Sequence, residues 1–156
     1  MLTRGYNLQS VENISTLRFH HLLCLPLFKG KGYSDGFSVN MQAVKDRLEG
    51  SGEAVKLVCE SDMICANCPN RLPKGCKLDG QDKTVSDKDR LVCELSGIEE
   101  KCGLSYFEAL ERLKSNMKKC DFERLCGECR WNKQGLCGYD EWLASVETVL
   151  GAAETN

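Results

Sequence analysis

Residues 35–59 read DGFSVNMQAVKDRLEGSGEAVKLVC and decide the fold, because a helical pattern passes there into a strand pattern. Four apolar side chains recur in the first part at intervals of four, three and four residues, which places them on one helical face. They are Phe37, Met41, Val44 and Leu48. We predict a helix over about 35–49, with Ser34 or Asp35 as its N-cap and Gly50 at its end.

Two strand patterns flank this helix. Residues 54–59 alternate, with Val55, Leu57 and Cys59 on one face, which is typical of a strand. Residues 16–19 are interpreted as a shorter strand. Because two strands joined through a helix pair in parallel with a right-handed crossover, we expect a short parallel pair.

The rest of the chain is predicted to form loops and helices. Helical patterns cover about 86–96, 105–118 and 140–150, and Ser105 with Glu108 resembles a capping box. The last of these helices is expected to end at Gly151. The fold class is therefore α+β, a small and mostly helical domain with a short parallel strand pair and Cys-rich metal-binding loops. Residues 1–14 are interpreted as a loose N-terminal arm, and residues 15–151 as a single Cys-rich domain.

The composition limits the classes of function. The chain has 156 residues, 11 of them Cys, and a formal net charge of −2. So small a charge gives no bulk electrostatic case for nucleic acid as a partner. The longest apolar run, residues 22–28, has seven residues and contains Pro26, so it is too short for a membrane span. We expect a cytoplasmic protein, and in a reducing compartment clustered cysteines indicate metal or redox chemistry.

Two cysteine triplets share one spacing, C-x2-C-x7-C. Residues 65–76 read CANCPNRLPKGC, and residues 126–137 read CGECRWNKQGLC. Two thiolates separated by two residues can bind one metal centre from a tight turn, and the third approaches after a Gly-containing loop. The repeat predicts metal or cluster binding by Cys65, Cys68, Cys76, Cys126, Cys129 and Cys137.

Each triplet lacks a fourth ligand, and the segment around Cys24 offers candidates. His20 and His21 precede Cys24 by four and three residues, so all three share a face if the segment is helical. Cys24 is the leading candidate. The two histidines are either further ligands or residues with a capping, core or hydrogen-bonding role.

The other cysteines are weaker candidates. Cys59 and Cys93 lie in apolar surroundings and are expected in the core. Cys102 and Cys120 are expected in or near turns, and Cys120 is an alternative fourth ligand for the second triplet.

Four thiolates fit either zinc or an iron–sulfur cluster, and spacing alone does not distinguish them. The Cys68-Pro69 pair is similar to the Cys-Pro that closes ferredoxin motifs, and Trp131 lies close enough in sequence to shield a cluster. Neither triplet has the second C-x2-C pair of a zinc ribbon. We therefore favour an iron–sulfur cluster, with zinc as the alternative.

The chain also resembles a known family, domain of unknown function 1284. The resemblance rests on RFHHLLCLPLFKGKGYSDGF, on Asn40-Met41, on DMICANCPN and on CGECRW, and it extends from about residue 16 to 138. Members of this family are often labelled iron–sulfur binding proteins, and no activity is established for them. The family pattern falls on His20, His21, Cys24 and the six cysteines of the two triplets. The resemblance therefore implies a metal centre and leaves the activity open.

Three functions follow as hypotheses. The first is an iron–sulfur protein, with a [4Fe–4S] cluster, that acts in electron transfer or redox sensing with a redox partner protein. The second is a zinc-stabilised interaction module. The third is a thiol enzyme in which Cys24 is the nucleophile and a neighbouring histidine its base; in that hypothesis Asp35 and Asp62 are interpreted as caps rather than acids.

Overall fold

The structure is a computed structural model that describes residues 15–30, 34–59, 62–64, 84–126 and 138–154. Its strands are β1 (Ser15–Arg18), β2 (Ala54–Val58) and β3 (Gly103–Ser105). Its helices within these ranges are α1 (His21–Leu27), α2 (Asp35–Ser51), α3 (Thr84–Ser96), α4 (Tyr106–Asn116), α5 (Lys119–Cys126) and α6 (Tyr139–Glu154). The predicted α+β class, mostly helical, is confirmed. The prediction of an arm over 1–14 falls outside the described residues.

The three strands form one sheet in the order β1-β2-β3. β1 and β2 are parallel, with Leu17 opposite Leu57, as predicted. β3 is antiparallel to β2, with Leu104 opposite Val55. The sequence does not predict this third strand, because three residues are too few to show an alternating pattern.

Helix α2 follows the predicted face but ends later than expected. The Ser34 hydroxyl accepts a hydrogen bond from the Phe37 N–H at 3.1 Å, so Ser34 is the N-cap. The helix passes through Gly50 to Ser51 and is capped by Gly52, which has a positive φ of 63° and donates its N–H to the Leu48 carbonyl. The prediction of Gly50 as the end is wrong, because a left-handed cap, not the first glycine, terminates the helix.

Cys120 lies near a turn, as expected: it is the second residue of α5, a helix that the sequence does not predict, and its side chain is exposed. Two further local predictions need correction. Helix α6 continues through Gly151 to Glu154. At the start of α4, the Ser105 hydroxyl accepts from the Phe107 N–H, as a cap should, but Glu108 pairs with Arg112 rather than closing the capping box.

The core joins the sheet to the helices through large apolar side chains. Trp142 of α6 is fully buried, and its indole N–H donates to the Leu22 carbonyl of α1 at 3.0 Å. The ring of Trp142 also packs near those of Phe122 and Tyr139, which fixes α5 against α6. Among the described residues, no helix has the length and apolar character needed to span a membrane.

Candidate functional site

The candidate site begins where β1 passes into α1. β1 ends at Arg18, the buried Phe19 donates its N–H to the Val58 carbonyl, and α1 begins at His21. His20 and His21 therefore follow the carboxyl end of a parallel strand. Asp62 follows the end of β2, the neighbouring parallel strand. Residues after neighbouring parallel strands meet at the same edge of the sheet, which is where binding sites tend to form in such sheets.

Asp62 orients the ring of His21. Its Oδ2 accepts hydrogen bonds from the His21 Nδ1 at 2.6 Å and from the Arg18 backbone N–H at 2.7 Å. Its Oδ1 accepts from the Ile64 N–H at 3.0 Å. The buried carboxylate of Asp62 thus fixes the His21 imidazole, the end of β1 and the turn in which Asp62 itself lies.

Asp89, on α3, orients the ring of His20. Its Oδ1 accepts from the His20 Nδ1 at 2.7 Å and from the His20 backbone N–H at 3.0 Å. Its Oδ2 lies 2.8 Å from Nε and 2.6 Å from Nη2 of Arg18. The side chain of Asp89 is 0% exposed and that of Arg18 is 2% exposed, so this is a buried ion pair.

Burial and the charges around the two histidines keep Asp89 charged and His20 neutral. Burial raises the pKa of Asp89, but His20 and Arg18 outweigh burial and hold that pKa below its usual range. Burial, followed by the neighbouring His21, lowers the pKa of His20 below its ordinary value of 6.5. Since a carboxylate oxygen accepts hydrogen bonds, we assign a proton to Nδ1 of each imidazole; in a neutral imidazole of this tautomer the lone pair lies on Nε2.

The two imidazoles lie side by side. Their ring centroids are 4.4 Å apart and their planes are tilted by 56°. The side chain of His20 is 15% exposed and that of His21 is 9% exposed. Within the described ranges, both rings make their hydrogen bonds through Nδ1, and neither Nε2 has a hydrogen-bond partner. Such an imidazole can act as a metal ligand or as a proton acceptor.

The structure places one of the seven candidate cysteines in full. Cys24 lies in α1, half-buried, and its N–H donates to the His20 carbonyl at 3.3 Å, so the expected helical turn through His20, His21 and Cys24 is present. Cys126 is the last residue of α5, and its side chain is outside the described residues. The remaining candidates also lie outside the described residues: Cys65, Cys68, Cys76, Cys129 and Cys137. Over the described ranges, no three His, Cys, Asp or Glu side chains are grouped as a metal site.

The turn that precedes the first triplet is anchored on α2. The Asn40 amide donates to the Met63 carbonyl at 2.9 Å and to the Ile64 carbonyl at 3.4 Å. Arg47 Nη2 also lies 3.0 Å from the Met63 sulfur. Cys65 follows Ile64 in the sequence, so the last described residues before the first triplet belong to the same network as His21.

The sequence alone does not identify the residues that hold the two histidines in place. Asp62 is interpreted there as a cap; it does accept from the Ile64 N–H, but it also orients His21. Asp89 lies in the charged run Asp87 to Arg90, where nothing marks it as buried. Arg18 carries no signal either, because a charged residue next to apolar ones matches the ordinary alternation of a half-exposed strand.

The cysteines expected in the core are partly buried and pack against it. Burial, followed by Glu100, raises the pKa of the Cys59 thiol to about 11. Burial likewise raises the pKa of Cys93, whose sulfur lies 3.3 Å from the Ile98 carbonyl oxygen. Cys102 and Cys120 are exposed.

A comparison with protein families identifies the chain. The model described as "Protein of unknown function (DUF1284)" matches residues 32–135, which is more than half of the sequence. The chain belongs to the DUF1284 family. The DUF1284 match contains the first triplet together with Cys126 and Cys129; His20, His21, Cys24 and Cys137 lie outside the matched residues. No curated protein and no solved structure matches the chain.

Proposed function

We propose that this DUF1284 protein binds an iron–sulfur cluster of the [4Fe–4S] type and acts in electron transfer or redox sensing. The observation that carries the proposal is the repeated C-x2-C-x7-C spacing of residues 65–76 and 126–137. A single cysteine triplet can arise by chance in a Cys-rich chain, whereas two with identical spacing are typical of thiolate-bound metal centres. The proposal includes a cytoplasmic location, where free thiols persist, and a redox partner protein.

The preferred ligand set is Cys24 with the first triplet, Cys65, Cys68 and Cys76. This set is supported by a contact between the residues next to Cys24 and those next to Cys65. The Asp62 carboxylate binds both His21, at the start of α1, and the N–H of Ile64, the residue before Cys65. The second triplet would take its fourth ligand from Cys120, six residues before Cys126. Its first member ends α5, which packs against α6.

The donor chemistry fits this group. Thiolates are the usual ligands of iron–sulfur clusters, and imidazole nitrogens replace some of them in one cluster type. Cys24 is half-buried, so a cluster bound there would be partly shielded from water. When bound, a cluster would supply one-electron transfer; the chain's own residues would hold it and limit its contact with water.

The experiment is to purify the full chain without oxygen and to record its absorption spectrum, with iron, sulfide and zinc analysis of the same sample. Brown protein with near-equal iron and sulfide supports the proposal. About four irons per chain indicate one cubane and about eight indicate one at each triplet. Colourless protein containing zinc would replace the proposal with the zinc-stabilised module, and protein without any metal would favour the thiol enzyme.

Matched variants test the ligand set. Cys68→Ala should remove most of the iron if the first triplet binds the cluster. Cys59→Ala is the control, because that thiol is half-buried against the core and is not assigned as a ligand. Unchanged colour and iron content in Cys68→Ala would contradict the assignment.

A further inference from the structure

We propose that His20 and His21 bind one divalent transition-metal ion through their Nε2 atoms, at a site separate from the thiolate cluster. Asp89 and Asp62 act there as positioning residues. The carrying observation is that two adjacent imidazoles, 4.4 Å apart, are each held at Nδ1 by a different buried carboxylate.

The carboxylates prepare both rings in the same way. A carboxylate bound at Nδ1 selects the tautomer with its lone pair on Nε2 and fixes the direction of the ring, which is the usual outer arrangement of a metal-binding histidine. Here this occurs twice, from separate parts of the chain, since Asp62 follows β2 and Asp89 lies on α3. A purely structural role for the histidines does not require that two adjacent rings each be bound at Nδ1 by a separate buried carboxylate.

The spacing of the rings permits a shared ion. A metal bound at about 2.0–2.1 Å from Nε2 lies roughly 3 Å from the ring centroid, so two rings sharing it have centroids within about 6 Å. The observed separation of 4.4 Å satisfies this limit. The side chains of His20 and His21 are 15% and 9% exposed, so neither ring is sealed completely from solvent.

The charges favour a cation over an anion. Arg18 and Asp89 neutralise each other as an ion pair. Asp62 accepts from two backbone N–H groups and from His21, as an ionised carboxylate does. Among the described side chains that contact the two rings or their carboxylates, two carboxylates stand against one guanidinium. Because the donors are nitrogens rather than oxygens, a transition metal is favoured over magnesium or calcium.

The chain itself makes this site easy to observe, because it contains only two histidines. We would label the full-length protein with ¹⁵N-histidine, record long-range proton–nitrogen correlations, and titrate with Zn²⁺. Before zinc, both rings should show a proton on Nδ1. One equivalent of Zn²⁺ at the site should shift both Nε2 resonances. Protons on Nε2 before zinc, or a shift of only one ring or of neither, would overturn the proposal.

Two aspartate variants test the positioning role. Asp62→Asn retains the side-chain size and should weaken zinc binding, read from the imidazole shifts, by roughly 10–100-fold. Asp87→Asn, at an exposed position on α3, is the matched control and should bind zinc like the unaltered protein. Equal affinity in Asp62→Asn and the control would show that the carboxylate is not a positioning residue.

The measurements distinguish the histidine site from the iron–sulfur cluster. Zinc bound only by thiols forms no bond to Nε2 and so lacks the large Nε2 shift of direct coordination, and the iron and sulfide contents of the same sample report on the cluster alone. A protein that contains the cluster but shows no imidazole shift supports the proposed function and overturns the histidine site. Imidazole shifts in a protein without iron and sulfide support the histidine site and overturn the cluster.

Discussion

Oδ1 of Asp89 accepts two hydrogen bonds from His20, one from its backbone N–H at 3.0 Å and one from its ring Nδ1 at 2.7 Å. The second oxygen of the same carboxylate binds the Arg18 guanidinium. A single side chain of α3 therefore fixes the turn between β1 and α1 and also the orientation of an imidazole within it. The fold and the candidate site both depend on the buried Asp89 carboxylate, so substitution of Asp89 or its partners should alter stability as well as binding.

Arg18→Met should lower the free energy of unfolding by about 3–5 kcal/mol, because it leaves the charge of Asp89 buried without its cation. Urea unfolding at pH 7 measures this. Arg112→Met is the control: its pair with Glu108 is on the surface of α4, so its loss should cost at most about 0.5 kcal/mol. Similar costs for both variants would contradict the assignment of a buried ion pair.

Stability should fall as the pH is lowered through about 6.5 in the metal-free protein. The pKa of His20 is lower in the folded state than the ordinary value, so the unfolded state binds the proton more readily, and acid favours unfolding. The loss begins near the unfolded pKa and continues down to the folded pKa. The low pKa of Asp89 acts in the same direction, but only as the pH falls below about 4.

The check is urea unfolding between pH 7.5 and 5, compared with His20→Gln. Both proteins retain His21, so their difference reports on His20. The variant should show the weaker pH dependence in this range. If the free energy of unfolding of the unaltered protein rose relative to that of His20→Gln as the pH fell, the neutral state assigned to His20 would be excluded.

Gly52→Ala should destabilise the protein, whereas Gly50→Ala should not. Gly52 has a φ of 63°, where an alanine costs roughly 1–2 kcal/mol, and its added Cβ would clash with the ring of Phe107. Gly50 is helical and open, so alanine there should stabilise by about 0.5–1 kcal/mol. Thermal or urea unfolding of the pair measures the contrast, and equal effects would place the end of α2 elsewhere.

Cys59 should react slowly with iodoacetamide at pH 8. The thiolate is the nucleophile, and a pKa of about 11 leaves Cys59 almost entirely protonated. Cys120, exposed on α5, should be alkylated at least about tenfold faster. Mass spectrometry of digested samples over time gives both rates in one experiment. Equal rates would show that burial does not protect Cys59.

Local patterns in the sequence are sufficient for much of the fold. The apolar face of α2 and the alternation of β2 are repeated over enough residues to be read directly, and the parallel pairing of β1 with β2 follows from their connection. The short β3 and α5 escape such reasoning because three and eight residues carry little periodic signal. The cysteine repeat is likewise a property of the sequence alone, and the metal it indicates stays a prediction.

Only the tertiary structure reveals what surrounds the histidines. Asp62 lies 41 positions from His21, and Asp89 lies 69 positions from His20. Neither aspartate differs, in its own stretch of sequence, from one that is solvated or caps a turn. Spacing along the chain identifies groups that share a helix face or a metal-binding loop. A buried carboxylate receives its partners from strands and helices distant in sequence, so its role is decided by the packing of those elements.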